Sequence, residues 1–321
     1  MSDNVTGQGA PRRIVIVGAG AMGCLFAARL ALAGSEVTLV DVDYERIATI
    51  NRMGLVLSDE EGRRQVAVRA ATAGEVAVPV DLVLVFTKGN HTQAAVQSVA
   101  HLAAGKPVAL SLQNGVGNAE IIAGTFGSDR TLFGTAHVPA DLVPPNTVRS
   151  HLPSPLALGA SDAHAFPLAG DVAALLSRAG FDAVASPDVE KSVWEKLAFN
   201  AALNAPAMIC QKTNGGIGNP YGLRIASAVI SEAVAVARVK GIGLDAASIE
   251  RAVRAALKDH SAHKPSMLQD REAGRASEIE MINGAIVREG ERAGIPTPVC
   301  STLTDLVRLI EGAGTAEASC Q

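Results

Sequence analysis

The sequence predicts an α/β protein in two parts, a doubly wound parallel sheet followed by an all-helical half. Three observations point there. Short β-branched runs alternate with apolar helical stretches over residues 13–115. A glycine turn directly follows the first of these runs. Beyond Pro187 the strand-like runs stop and long helical patterns take over. Alternation of strand and helix implies parallel crossovers, and strands covered on both faces read as continuous apolar runs.

"RIVIV" (13–17) is such a run, stopped by a glycine. "GAGAMGCLFAARLALAG" (18–34) is a glycine turn leading into an apolar helix that ends at Gly34. "EVTLVD" (36–41) is a second strand, and "YERIATINRMG" (44–54) a second helix closed by glycine. "VDLVLVFTK" (80–88) and "PVALSLQNG" (107–115) are further buried strands, with a helix at 91–104 between them. Residues 131–159 are shorter and β-like, punctuated by Pro139, Pro144, Pro145, Pro153 and Pro155, and a helix at 170–180 closes this half. The later helical patterns fall at 188–209, 220–240, 245–258, 274–293 and 297–312. The expected division is a disordered N-terminus (1–12), a sheet domain (13–186), a helical domain (187–312) and a frayed tail (313–321).

The chain has 321 residues, 48% of them hydrophobic and 19% charged, which suits two globular domains and excludes general disorder. A net charge of −4 without a long basic run argues against nucleic acid or an anionic membrane as partner. Cys24, Cys210, Cys300 and Cys320 lie far apart, without CxxC or zinc spacing, as expected of thiols in a reducing compartment. The seven histidines are scattered, so no metal site is expected. The polar first dozen residues lack the apolar core of a signal peptide, and no apolar run approaches the ~18 residues that span a bilayer. These features predict a cytoplasmic protein acting on a small molecule. The helical stretch 274–293 offers an apolar side that suits either a homodimer face or burial in its own domain.

Gly18, Gly20 and Gly23 form G-x-G-x-x-G, with Ala21 and Met22 in the gap, between a buried strand and a helix. In this setting the first glycine makes the tight turn and the second lets a pyrophosphate approach the backbone. The third lets helix and strand pack closely, and the helix N-terminus offers unpaired N–H groups. The reading is a Rossmann-type dinucleotide site. Asp41 ends the second strand, where a carboxylate binds both adenosine ribose hydroxyls and repels a 2′-phosphate, a pattern that favours NADH over NADPH. Two features weigh against it: Arg46 lies one turn into the next helix, within reach of a phosphate, and Asp43 is placed to cap that helix.

In "WEKLAFNAALNA" (194–205), Lys196, Asn200 and Asn204 are spaced four apart and so share one face of an otherwise apolar helix. Asparagine is a poor helix former, and a buried amide or ammonium is costly unless partnered. The row reads better as the lining of a ligand cleft than as a solvated face. Trp194 reads as a packing anchor. "TNGGIGN" (213–219) reads as a helix end and turn.

GAGAMG, "VFTKGNHTQAA", "LQNGVGN", "WEKLAFNAALN" and "SMLQDREAGRASEIEMINGAIV" together resemble the ketopantoate reductase family, in its order and spacing over most of the chain. The resemblance implies an NADPH-binding Rossmann domain, a helical domain closing over it, and reduction of the ketone of 2-dehydropantoate to pantoate. It implies that Lys196 protonates the carbonyl oxygen and Glu278 binds the forming hydroxyl. Asn200 and Asn204 would hold the substrate's hydroxyl end and Ser266 its carboxylate, with Asn214 nearby. Lys88 and Asn114 would lie at the cofactor edge. The chain departs from the family pattern at Asp41, commonly basic there, at Ala205, which intervenes before Pro206, and in "LVPPNTVRSHLPSPLALG", which replaces a glycine-rich hairpin. These departures leave open the same chemistry on another branched or hydroxylated 2-oxo acid; a non-catalytic dinucleotide sensor is the remaining rival. Asp270 is placed to orient Ser266 or to pair with Arg271 or Lys264, and Arg275 and Arg288 read as solvated charges.

Overall fold

The computed structural model describes residues 12–151 and 154–312. Pro153, the tail at 313–321 with Cys320, and the N-terminal segment up to residue 11 lie outside them. The chain forms two compact units. One comprises the residues up to Gln113 together with Asn118–Val189, and the other Asn114–Gly117 with everything from Glu190 onward.

The first unit begins β1 (Arg13–Val17), α1 (Ala21–Leu32), β2 (Glu36–Val40) and α2 (Tyr44–Met53). It continues with β3 (Leu55–Asp59), β4 (Gly62–Val66), β5 (Arg69–Ala71), β6 (Leu82–Val85), α3 (Thr92–Ser98), β7 (Val108–Ser111) and α4 (Asn118–Phe126). Then come β8 (Thr131–Ala136), β9 (Ala140–Val143), β10 (Thr147–Ser150), β11 (Pro155–Gly159), α5 (Phe166–Arg178) and β12 (Asp182–Ala185). Eight strands make one sheet in the order β12-β11-β8-β7-β6-β1-β2-β5, parallel except where β8 meets β11. Successive residues point to opposite faces of a strand. Ile14, Ile16, Leu82 and Leu84 accordingly pack with Leu25 and Phe26 of α1, while Val15, Val17, Val83 and Val85 pack with Val96 of α3 and Ile122 of α4. Both faces are buried, hence the unbroken apolar runs.

A second, four-stranded sheet, β4-β3-β10-β9, is built on the hairpin of β3 and β4. Sequence reading assigned no element to 55–66, because β4, "GRRQV", is polar and mostly exposed and shows only one apolar residue. The sheet packs Leu55, Leu57, Val66 and Val148 into the same core as α1. Arg29 of α1 is buried beneath it, donating to Asp59 at 3.4 Å and to the Gly180 carbonyl at 3.2 Å, while Arg64 donates to Asp59 at 2.7 Å. The helix expected at 91–104 is shorter: α3 is followed by a 3-10 segment, Ala100–Gly105.

The second unit holds α6 (Val189–Cys210), α7 (Asn214–Ile217), α8 (Pro220–Val239), α9 (Ala246–Asp259), α10 (Ser266–Glu272), α11 (Asn283–Ala293) and α12 (Pro298–Glu311). Trp194, Leu197 and Leu203 of α6 share its core with Val229 and Ile230 of α8. The single helix expected at 274–293 is corrected. Gly274, at φ +64°, follows the end of α10, a 3-10 turn spans Ile279–Met281, and Ile282 is non-helical before α11 begins. "TNGGIGN" likewise contains a short helix, α7, after Gln211 takes a left-handed conformation. Among the described residues no helix is long and apolar enough to cross a membrane, and no group of His, Cys, Asp and Glu could hold a metal ion.

Candidate active site

The first unit gathers its candidate cofactor residues at the carboxyl ends of its central strands. Gly18 has φ +104°, and a Cβ there would stand 2.9 Å from the Thr87 nitrogen. A Cβ on Gly23 would fall 1.8 Å from the Gly18 carbonyl oxygen, so α1 can close on the turn only through glycine. At Gly20, by contrast, a Cβ would meet nothing within 4 Å. The turn is therefore tight on its protein side and open on the other, above a helix start that carries neither a side-chain cap nor an acidic residue in its first turn. Such a start presents free N–H groups and a partial positive charge to an anion. Ala21 and Met22, half-buried, form that first turn.

Asp41 is held by three backbone groups. One oxygen accepts the Ala19 N–H at 2.6 Å, and the other accepts those of Val42 (2.8 Å) and Asp43 (3.0 Å). The carboxylate is thus fixed beside the glycine turn. Asp43 caps α2 by accepting from Glu45 and Arg46. Arg46 folds back toward the turn, donating to the Ala19 carbonyl at 3.1 Å. Val42 and Tyr44, flanking this edge, are 89% and 75% exposed. An open turn, an uncapped helix start and an anchored carboxylate together fit a dinucleotide diphosphate and ribose.

Lys88, half-buried, follows β6 at the start of the 3-10 turn Gly89–His91. The loop that carries it is fastened by Gln113, a residue sequence reading passed over although it stands beside Asn114 in "LQNG". The Gln113 amide nitrogen donates to the Thr87 carbonyl (2.7 Å) and the Thr92 hydroxyl (2.8 Å), and its oxygen accepts from Ser111 at 2.9 Å. Thr92 in turn donates to Asn118 at 2.8 Å. This buried chain joins the ends of β6 and β7 to the starts of α3 and α4.

The second unit assembles the other candidates. Along α6, Lys196 and Asn200 are half-buried and Asn204 is only 4% exposed, so the row is no solvated face. Burial pushes the Lys196 ammonium down to about 8, against the pull of the Glu278 carboxylate, which favours the charged form. Glu278 itself is 6% exposed and accepts from the Asn114 amide at 3.3 Å. Asn114 reaches it because the tetrapeptide Asn114–Gly117 lies on the 3-10 turn after Glu278. The Val116 N–H donates to the Met281 carbonyl at 3.3 Å, and a Cβ on Gly115 (φ +89°) would sit 2.0 Å from that same oxygen.

Ser266 opens α10 behind Pro265 and donates a long 3.5 Å bond to Asn204. Asn214 opens α7, and its hydrogen bonds run instead to the Ala256 carbonyl (3.4 Å) and, from its backbone N–H, to the His263 carbonyl (3.0 Å). Hydrogen bonds therefore join Asn114 to Glu278 and Ser266 to Asn204, and charge couples Lys196 to Glu278. Asp270 is buried and pairs with Arg275 at 3.0 Å. The partners expected for it are engaged elsewhere, Arg271 with the Met208 carbonyl and Lys264 with Glu272.

A buried lysine poised near neutrality, a carboxylate beside it and a row of amides can protonate a carbonyl oxygen and hold a polar substrate. Comparisons with known proteins identify the family. Family models described as "Ketopantoate reductase PanE/ApbA" and "Ketopantoate reductase PanE/ApbA C terminal" match residues 14–163 and 188–311. A 2-dehydropantoate 2-reductase of Archaeoglobus fulgidus is 36% identical over 301 residues, 94% of this chain and 98% of that protein. The 2-dehydropantoate 2-reductase of Halobacterium salinarum is 32% identical over 308 residues, 94% of this chain and all of that one. The ternary structure of D-mandelate dehydrogenase with NADH and anilino(oxo)acetate aligns with a TM-score of 0.89 at 28% identity, over 94% of this chain and 99% of that one. Matched along nearly its whole length, the chain belongs to the ketopantoate reductase family, and it is a nicotinamide-dependent oxidoreductase.

Proposed function

We propose that this protein reduces the ketone of 2-dehydropantoate to pantoate, with NADH as the preferred hydride source and Lys196 as the proton donor. The observation that carries this reading is the half-buried Lys196 coupled to Glu278 in a helix row shared with Asn200 and Asn204. The glycine turn and the start of α1 would hold the dinucleotide through its diphosphate, and the bound reduced cofactor would supply the hydride. Negative charge then builds on the ketone oxygen, and the Lys196 ammonium transfers its proton there. Lysine suits the task because burial tunes its pKa, whereas arginine hardly releases its proton.

Glu278 orients the ammonium and accepts from the hydroxyl as it forms, and Asn114 steadies the carboxylate. Asn200 and Asn204 bind the hydroxylated end of the substrate, Ser266 its carboxylate, and Asn214 supports this side of the site. Lys88 and Asn114 would each contribute to holding the cofactor. Asp41, fixed by three N–H groups, binds the ribose hydroxyls and disfavours a 2′-phosphate.

A second reading keeps the mechanism and changes the acid. Likeness to a D-mandelate dehydrogenase solved with NADH and anilino(oxo)acetate favours a different 2-oxo acid carrying a bulky or branched substituent. Loss of NADH absorbance with 2-dehydropantoate, phenylglyoxylate and branched 2-oxo acids, repeated with NADPH, separates the two. Reduction of 2-dehydropantoate with the highest kcat/KM supports the first reading. Oxidation of neither dinucleotide with any of these acids sinks both.

A further inference from the structure

Asn283, which the scheme above does not use, is fully buried where the 3-10 turn Ile279–Met281 passes into α11. An asparagine near a helix start ordinarily sets its side-chain oxygen on nearby backbone N–H groups. Here that oxygen has no hydrogen-bond partner among the described residues. The amide nitrogen instead donates at 3.2 Å to the carbonyl of Ala201, in the middle of α6. That carbonyl can only accept, so the NH2 must face it; exchanging the two amide atoms would oppose two acceptors. An apolar side chain of equal size would fill the space without stranding an acceptor, so packing alone does not require asparagine.

What Ala201 offers is its place in the helix. It stands between Asn200 and Asn204, one turn before Pro206, which lies inside α6. Proline has no N–H to give the Ala202 carbonyl, and its ring crowds that carbonyl, so the helix ladder is weakened at this turn. A donor from outside grips α6 at the carbonyl next to the one that proline leaves without a helix partner. The donor belongs to the segment that carries Glu278, five residues earlier.

We propose that Asn283 is a positioning residue for the reduction, tying the α6 turn that bears Asn200 and Asn204 to the segment that bears Glu278, and so fixing the spacing between proton donor and carboxylate. The inference rests on the roles given above to Lys196 and Glu278. Its test is Asn283→Leu, which keeps the branched shape and number of heavy atoms and removes both the donor and the stranded acceptor. The expected result is a Tm at or above that of the unaltered protein, an unchanged Kd for NADH, and kcat lowered about tenfold or more. A folded Asn283→Leu with kcat within about twofold of the unaltered protein overturns it. Asn283→Ala, which only removes atoms, is read by the same criterion should leucine prevent folding. If no oxo acid is reduced, the functional reading fails by itself, and crystal structures decide the inference. Displacement of residues 200–204 relative to Glu278 in Asn283→Leu supports it, and superposition of the two overturns it.

Discussion

Titrating the rate of oxo-acid reduction from about pH 6 to about pH 10 probes the Lys196 ammonium directly, since kcat/KM reports ionisations of the free enzyme. Burial brings this group from 10.5 to about 8. A group with that pKa is about nine-tenths protonated at pH 7 and about one-tenth at pH 9. If the ammonium supplies the proton, kcat/KM should be level below about pH 7 and fall about tenfold per pH unit above pH 8. Oxidation of the corresponding 2-hydroxy acid needs the neutral amine, so that rate should rise through the same value. Glu278→Gln removes the attraction that holds the ammonium up, and should move the break to lower pH. Lys196→Met should cost about 10²- to 10⁴-fold in kcat, about 3–5 kcal/mol of barrier, with the alkaline fall abolished. A profile level between pH 7 and about 9.5, as an ordinary lysine would give, would refute proton donation by a desolvated Lys196.

Asp41→Ser removes the carboxylate and leaves Arg46 beside the turn, so kcat/KM with NADPH relative to NADH should rise at least about tenfold, ~1.4 kcal/mol; an unchanged ratio removes Asp41 from cofactor choice. In Gly115→Ala the new Cβ meets the Met281 carbonyl, so the tetrapeptide must lift and carry Asn114 from Glu278. The expected loss is at least about 2 kcal/mol of stability with a fall in kcat, read by urea unfolding and turnover. Arg29→Met strands the buried Asp59 with Arg64 alone and should cost about 3–5 kcal/mol in urea unfolding while Kd for NADH holds; a loss under about 1 kcal/mol would show that the pair is dispensable. Lys196 also links to stability. A base with a lowered folded pKa penalises the native state fully below about 8 and is relieved as pH climbs toward 10.5. Unfolding free energy should therefore gain about 3 kcal/mol on that of Lys196→Met across this window, and parallel curves would contradict it.

The large sheet was legible because both its faces are covered, so "RIVIV" and "LVLV" carry a signal that no solvent-facing residue dilutes. The small sheet was not. In β4, Arg63 and Arg64 are spent on charge pairing and exposure, and only Val66 faces the core. The break at Ile282 was hidden for a different reason: 274–293 keeps helical composition, and what bends the chain is the docking of residues 114–117, distant in sequence, on Met281. The same distance explains the site. Lys196, Asn200 and Asn204 could be grouped by spacing alone because one helix presents them. That Asn114 reaches Glu278, 164 residues away, follows from tertiary structure and no periodicity reveals it. Asp270 shows the limit: Ser266, Arg271 and Lys264 were all plausible neighbours from sequence, and its ion pair is with Arg275, five residues on.

Where the sequence contradicts its own local preferences, the contradictions gather. An ammonium in an alanine-rich helix, a proline inside that helix and two asparagines near it lie within 196–206, and a fully buried asparagine with a stranded oxygen lies at 283. Elsewhere in the same unit, α8 and α9 have capping side chains on Asn219 and Asp245 and bury apolar faces without such conflict. Conflicts of this kind lower stability and persist where the chemistry requires them. A lysine left in water would hold its proton too firmly near pH 7, and one buried without Glu278 would lose it too early. The compromise needs a carboxylate near the ammonium: Asn114 holds Glu278, and Asn283, five residues on, bonds to Ala201 of α6. If Lys196 donates the proton as proposed, perturbing either its coupling to Glu278 or the Asn114 contact beside Gly115 should be felt in the transfer.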